Sequence, residues 1–217
     1  MKSAMVEKEG FAALVLRLRS EGINDLDLLT AVEQTPRSLF VPPQYADQAY
    51  SSRSIPIECG AFMEGADLAV RLLAHLHVKP GQRVLEIGTG SGFMSAVLGR
   101  LSERVMSIDR YKTLVTAAQR RLDNLGLRNV VLRQADGSHG LTGEGTFDRI
   151  LSTAAFPTMP RFFAEQLVSG GVLLAPLMTG EESCIIVRLT KTGSRFDRED
   201  LFEVPYLPLV PKMASFL

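Results

Sequence analysis

Apolar side chains recur three and four positions apart from about Phe11 to Arg19 and again from Leu26 to Glu33, the spacing that lines one face of a helix. Asn24, Asp25 and Asp27 stand where the second helix would begin and offer it an N-cap. The next stretch, Thr35 to Gly60, is rich in Pro, Ser and Tyr, so it is predicted to be irregular and to wrap across one edge of the molecule. From Gly65 the pattern changes. Short apolar runs at 83–87, 104–108, 129–133, 147–152 and 171–176 read as buried strands, interleaved with helical patterns over Ala66 to Leu76, 92–101, 111–125 and 158–167. Two further strands, 183–190 and 199–205, would form an antiparallel pair, with Lys191-Thr192-Gly193-Ser194 as the hairpin signal. Gly170-Gly171 reads as a helix C-cap followed by the next strand.

Strands alternating with helices predict an α/β fold, a Rossmann-like doubly wound sheet with helices on both faces and an antiparallel hairpin at its C-terminal end. Residues 1–60 would be a helical and irregular extension and 61–217 the main domain, together one compact unit. A chain of 217 residues can bury a sizeable core as a single domain.

One of the predicted strands ends in an acid and runs straight into a glycine-rich turn: Val84-Leu85-Glu86-Ile87-Gly88-Thr89-Gly90-Ser91-Gly92-Phe93. Glycines without Cβ atoms let the backbone turn sharply and let a ligand approach it at the C-terminal end of a parallel strand. The next strand, Val105-Met106-Ser107-Ile108, ends in Asp109 with Arg110 beside it. A carboxylate about 20 residues after such a turn is placed to accept from both hydroxyls of a ribose. The third strand ends in Asp136-Gly137, where an acid can accept from an adenine amine, and the fourth carries Asp148 at its start. A pyrophosphate site would use G-x-G-x-x-G, and Glu86 would repel a pyrophosphate while suiting a sulfonium that carries an ammonium group. The pattern therefore points to S-adenosyl-L-methionine rather than a nicotinamide dinucleotide. The candidate cofactor contacts are Glu86, Ile87, Gly88, Thr89, Gly90, Ser91, Gly92, Asp109, Arg110, Asp136 and Gly137. Each has a plainer reading, a loop glycine or an Asp at a helix N-cap, but their joint placement favours a ligand.

Composition narrows the alternatives. With 24 basic and 24 acidic residues the net charge is zero, so no basic excess exists to neutralise a nucleic-acid backbone. Lys112, Arg120 and Arg121 gather on one predicted helix, where Asp123 makes a solvated face the reading. No apolar run reaches membrane-spanning length and the first nine residues lack a signal peptide's apolar core, so the expectation is a cytoplasmic protein with no membrane partner. Cys59 and Cys184 show no metal or disulfide pattern and are expected to be reduced; no metal site is expected. His75 and His77, near the end of the helix before the first strand, stand where a helix dipole favours a cation, and His139 follows Asp136 in a loop.

From Phe40 onward the chain resembles the protein-L-isoaspartate (D-aspartate) O-methyltransferases. The resemblance is carried by Phe40-Val41-Pro42 and Tyr45, Ile55-Pro56-Ile57, the glycine segment, Asp136-Gly137-Ser138-His139-Gly140, Thr153-Ala154-Ala155-Phe156-Pro157, and Leu167 to Pro176. The tail Val204-Pro205-Tyr206-Leu207-Pro208-Leu209 is similar to that family's closing strand. It implies a class I methyltransferase fold, S-adenosyl-L-methionine as methyl donor, and isoaspartyl-containing proteins or peptides as acceptors, methylated on the carboxyl. Thr153 and Ala154 would border the cofactor and the substrate backbone. The sequence says nothing of oligomeric state.

One segment departs from the family. Where its members carry Gly-Gln-Thr-Ile-Ser-Gln-Pro, with the serine beside the acceptor carboxylate, this chain has Gly60-Ala61-Phe62-Met63-Glu64-Gly65-Ala66. Two carboxylates about 4 Å apart repel by roughly 4 kcal/mol at an effective dielectric of 20, unless one is protonated. Glu64 is thus a candidate catalytic residue beside Thr153, a base for an amine or hydroxyl acceptor. It is equally readable as a first-turn acid of the helix Ala66 to Leu76. Other readings are a methyltransferase with a different acceptor, a non-catalytic cofactor-binding adaptor, and a nicotinamide oxidoreductase, which the turn spacing disfavours.

Overall fold

The computed structural model describes residues 2–180 and 183–215; Met1 of the N-terminal stretch lies outside them. Helix α1 spans Lys2–Ser20 and α2 Leu26–Glu33, the latter capped by Asp25, whose carboxylate accepts from the Leu28 N–H at 3.1 Å. A small antiparallel pair comes next, β1 (Ile55–Pro56) with β2 (Phe62–Met63), the only ladder near the stretch expected to be irregular among the described residues. Then come α3 (Ala66–Leu76), β3 (Arg83–Ile87), α4 (Phe93–Leu101), β4 (Arg104–Asp109), α5 (Lys112–Asn124), β5 (Val130–Gln134), β6 (Phe147–Ser152), β7 (Leu167–Met178), β8 (Cys184–Thr192) and β9 (Arg195–Val204).

The seven long strands form one sheet in the order β5-β4-β3-β6-β7-β8-β9, parallel as far as β7 and antiparallel through β8 and β9. Chain order reverses at β3, which has β4 on one side and β6 on the other, and such a switch point opens a crevice at the C-terminal ends of the strands. Strand side chains alternate between two buried layers. Val84, Val105, Val130 and Leu151 join Leu14, Leu28, Val70, Leu98 and Leu122 of the five helices, so the N-terminal helices share a core with the sheet. Leu85, Ile87, Met106 and Ile150 face the other layer, closed by Phe156, Phe163 and Leu141.

Sequence periodicity misleads on that second layer. The helix expected over 158–167 is only a 3-10 turn, Arg161–Glu165, because Pro157 and Pro160 interrupt the backbone donors before it and β7 already begins at Leu167. Gly170-Gly171 therefore caps no helix. Gly170 has φ +74° inside β7, where the pairing with β6 slips between Phe147 and Arg149, a bulge in the strand.

The closing segment also differs from its expectation. β9 ends at Val204, and Pro205 and Pro208 keep the residues beyond it from extending the ladder. Residues 205–215 instead run as a strap across the strand ends. Ala155 N–H donates to the Leu207 carbonyl at 2.9 Å, Leu209 N–H to the Ala155 carbonyl at 2.8 Å, Lys212 N–H to Asp136 Oδ2 at 2.7 Å and Ala214 N–H to the Arg110 carbonyl at 3.0 Å. His75 and His77 do end α3, but burial, with Arg188 near both rings and Lys79 near His77, holds both below the usual histidine range, overriding the dipole's preference for a cation.

Helix α3 starts where it does because its first turn is pinned to residues 51 and 52: the Ala66 N–H donates to the Ser51 carbonyl at 2.8 Å, and a Cβ on Gly65 would lie 2.1 Å from the Ser52 carbonyl oxygen. Gly65→Ala is expected to lower stability in urea denaturation by more than about 2 kcal/mol through overpacking. Gly81→Ala, in open space at φ +81°, is expected to cost on the order of 1 kcal/mol. Equal losses would show that the Ser52 contact is not what fixes this junction.

Candidate active site

At the switch point lies a cavity of 410 Å³, within the roughly 300–1,000 Å³ range of small-molecule sites. Its floor is the turn after β3 (Ile87 to Ser91), the end of β4 (Ile108 to Tyr111), Ala135 and Gly137 after β5, and Thr153 and Ala154 after β6. Arg37 and residues 59–64 form the N-terminal wall. The strap, Pro205 to Val210, forms the roof.

The turn is held from below. Gly88 sits at φ +98° with its carbonyl accepting from the Thr153 hydroxyl at 3.3 Å, and a Cβ there would lie 2.3 Å from that hydroxyl oxygen. Asp109 holds the turn's far side: Oδ2 accepts from the Gly90 N–H at 3.0 Å and Oδ1 from the Tyr111 N–H at 2.9 Å. Each oxygen keeps a lone pair for a ligand hydroxyl, and burial pushes this carboxyl above its ordinary range despite those donors. The Thr89 and Ser107 hydroxyls are 2.7 Å apart beneath the turn. Arg121, expected on a solvated face, reaches back instead to the Ser91 carbonyl at 3.0 Å and to Glu58.

Three of the sequence-derived contacts lie off the cavity. Gly92 begins α4 at φ +87° and packs on α5, where a Cβ would lie 2.8 Å from that of Ala118. Glu86, fully buried, does not face the cavity as an ammonium partner would. Its Oε2 accepts from the hydroxyls of Ser95 and, at 2.6 Å, Ser107, while Oε1 has no hydrogen-bond partner among the described residues. Burial pushes it up to about 8, so the carboxyl is a neutral group below that pH. Asp136 is the N-cap of the turn Gly137–His139, and its oxygens are taken by the N–H groups of Ser138 at 2.8 Å and Lys212 at 2.7 Å. Burial would raise it, but those donors outweigh burial and hold it below the usual range. Its neighbours Ala135 and Gly137 line the cavity instead, Gly137 so close to β3 that a Cβ would lie 2.4 Å from Ile87 Cγ2. The cavity does include Ile87, Gly88, Thr89, Gly90, Ser91, Asp109 and Arg110.

Glu64 is not a first-turn acid of α3. Gly65 caps that helix, whose first-turn acid is Asp67, paired with Arg17 at 2.6 Å. Glu64 lines the cavity, half-buried, and its Oε1 accepts from the Tyr206 hydroxyl of the strap at 2.8 Å. Burial pushes Glu64 up, and the pull of Tyr206 and Arg37 only partly offsets it. Cys59 also lines the cavity at φ +62°, its thiol pushed up by burial and therefore a poor nucleophile. His139 is exposed against Phe162 and does not line it. No cluster able to hold a metal ion occurs among the described residues.

Sequence reasoning gave no site role to Arg37, and it named the tail Val204 to Leu209, which holds Tyr206 and most of the roof, only for its likeness to a closing strand. Arg37 sits in aperiodic sequence and Tyr206 between prolines, so neither shows the spacing that marks a site. Taken together, the cavity offers the Asp109 carboxylate for vicinal hydroxyls, apolar walls from Ile108, Leu114, Ala135, Leu209 and Val210 for a flat base, and the carboxyl of Glu64, while its lining cations are the separate arginines Arg37 and Arg110 rather than a phosphate-binding cluster. That donor set fits S-adenosyl-L-methionine and does not fit a pyrophosphate.

Residues 9–214 match the family described as protein-L-isoaspartate(D-aspartate) O-methyltransferase. A protein-L-isoaspartate O-methyltransferase of Rhizobium meliloti (strain 1021) is 67% identical over 204 residues, covering 94% of this chain and all of the relative. One of Azorhizobium caulinodans is 42% identical, with both chains covered in full. Among solved structures, a Plasmodium falciparum β-aspartate methyltransferase in complex with S-adenosyl-L-homocysteine superposes with a TM-score of 0.79 at 21% identity, covering 91% of this chain and 97% of its own, a likeness of fold.

The burial of Glu86 makes stability depend on pH. Its carboxyl ionises near 4.5 when unperturbed and near 8 in the fold, so between those values the folded state keeps a proton that the unfolded chain has lost. Stability is therefore expected to fall as pH rises through that window, by at most about 1.4 kcal/mol per pH unit. Glu86→Gln is expected to flatten the trend; melting curves of both proteins between about pH 5 and about pH 8 test this. Parallel curves would show that Glu86 ionises normally in the fold.

Proposed function

The chain belongs to the protein-L-isoaspartate(D-aspartate) O-methyltransferase family, and from that premise we propose that it transfers a methyl group from S-adenosyl-L-methionine to the carboxyl of isoaspartyl residues in proteins or peptides. The observation that carries this reading is the cavity at the β3 switch point, which brings Asp109, the glycine turn, Thr153, Ala154 and Glu64 to one lining. No helix among the described residues is long and apolar enough to cross a membrane.

When bound, the cofactor supplies a methyl group on a positively charged sulfur that a carboxylate oxygen can displace. Asp109 holds the ribose hydroxyls, with the Gly90 and Tyr111 N–H groups fixing the orientation of its carboxylate. Ile108, Leu114 and Ala135, under Leu209 and Val210 of the strap, enclose the base and keep water out. On the acceptor side, Thr153 spends its hydroxyl on the carbonyls of Ile87 and Gly88, and with Ala154 it leaves space for a polypeptide to approach. An acceptor carboxylate is already ionised at neutral pH and needs no base, so the protein's task is orientation and desolvation. Glu64 then borders the acceptor without removing a proton. Burial favours its neutral form, while the Tyr206 hydroxyl, which donates to Oε1, occupies that oxygen.

Incubation with labelled S-adenosyl-L-methionine and two peptides of one sequence, one isoaspartyl and one with normal aspartate, is expected to place base-labile methyl ester on the isoaspartyl peptide alone. Ester on neither peptide, from protein that binds the cofactor, would overturn the acceptor assignment.

Glu64 supplies a second check. Because its pKa is raised, acceptor KM is expected to rise as pH passes up through that pKa and charge returns to the carboxyl; in Glu64→Gln, KM is expected to stay flat with kcat within about tenfold of the parent. A kcat loss beyond about a hundredfold would instead assign Glu64 the role of a general base.

A further inference from the structure

We propose that Arg37 is the carboxylate receptor of the cavity, the cation that takes the carboxylate end of a bound molecule. The proposal rests on the methyltransferase reading, under which two such groups enter: the α-carboxylate of the cofactor's methionyl part and the isoaspartyl carboxylate of the acceptor.

Arg37 opens the 3-10 turn Arg37–Phe40, lines the cavity wall and is 1% exposed. Its guanidinium is fixed without being neutralised. Nε donates to the Ala49 carbonyl at 2.7 Å, Nη2 donates to the Glu64 carbonyl, and the cation lies 4.5 Å from the centroid of the Phe93 ring. Neutral carbonyls and a ring face orient a cation, but a charge taken out of water is costly until an anion meets it. Among the described residues, no carboxylate lies within ion-pair distance of Arg37.

The nearby acids are engaged elsewhere. Asp67 pairs with Arg17, Glu7 accepts from the Tyr50 hydroxyl, and Glu64 Oε1 accepts from Tyr206. Burial lowers the guanidinium to about 10, which still leaves it charged at neutral pH. Nη1, the fork's remaining nitrogen, has no hydrogen bond to the described residues, and a guanidinium held at two nitrogens is preorganised for one incoming carboxylate. A purely structural arginine, holding the Ala49 and Glu64 carbonyls in place, would leave ligand charge without effect.

The test compares ligands that differ only in the carboxylate, on the full chain and on Arg37→Gln. One arm measures Kd for S-adenosyl-L-homocysteine and for the same compound lacking its carboxylate. The other measures, with S-adenosyl-L-homocysteine present, Kd for the isoaspartyl peptide and for its side-chain carboxamide. Arg37→Gln is expected to weaken one carboxylate-bearing ligand about tenfold or more while its carboxylate-free counterpart changes less than about twofold. Loss in the first arm assigns Arg37 to the cofactor's carboxylate; loss in the second assigns it to the acceptor's. A folded Arg37→Gln that binds all four ligands as the parent does, or weakens each pair equally, overturns the proposal. Should Arg37→Gln not fold, Arg37→Lys keeps the charge without the fork and is read the same way, with at least about a threefold selective loss expected. Absence of methyl transfer by the parent protein would defeat the methyltransferase reading, while the first arm still decides whether Arg37 receives a carboxylate.

Discussion

The site depends first on one carboxylate at the end of one strand. Asp109 receives the Gly90 N–H across the β3–β4 gap and the Tyr111 N–H at the entry to α5, so a single side chain fixes the turn of one βα unit against the helix start of the next. Reversal of strand order at β3 leaves that point uncovered by any crossover, so these backbone groups face a crevice. Without Asp109 the turn would keep its glycines but lose the anchor that sets their distance from the ribose-binding edge.

Around this anchor the protein tolerates polar groups that a core built for stability alone would avoid. Among the described residues, Glu86 lies fully buried with one oxygen unpartnered, and Arg37 lies nearly as deep with no ion pair. Each carries a desolvation cost, Arg37 in the wall of the cavity and Glu86 on β3 just before the turn that lines it. Buried polar groups left incompletely satisfied are rare in folded proteins, and a functional role is one of the few reasons they are kept. Here the positive group faces the cavity and the acid is turned away from it, which suits a ligand with a carboxylate at one end and a ribose held by Asp109 at the other.

Closure comes from parts of the chain far apart in sequence. Tyr206 meets Glu64 across 142 positions, and the strap bonds in turn to Ala155, Asp136 and Arg110, which follow the ends of β6, β5 and β4. The strap thereby roofs the base-binding end and touches the acceptor end. Its prolines matter because they deny it a place in the sheet, which frees its backbone groups to bond across the strand ends.

Much of this was legible in the sequence for a physical reason: burial imposes periodicity. The strands from β3 to β6, helices α2 to α5, the Asp25 cap and the placement of Asp109 and the glycine turn all derive from spacing that only one local conformation satisfies. Where prolines and a bulge break that spacing, as at Arg161–Glu165 and Gly170, local pattern pointed to a helix and a cap that the fold does not contain. The direction of a side chain at a strand end is likewise outside the reach of spacing. Glu86 and Asp136 were placed correctly along their strands, but one turns into the serine-lined layer under α4 and the other is taken up by Ser138 and Lys212. Arg37, Tyr206 and the orientation of Glu64 were decided by tertiary structure alone, because their partners lie 12, 27 and 142 positions away and such contacts leave no local period in the chain.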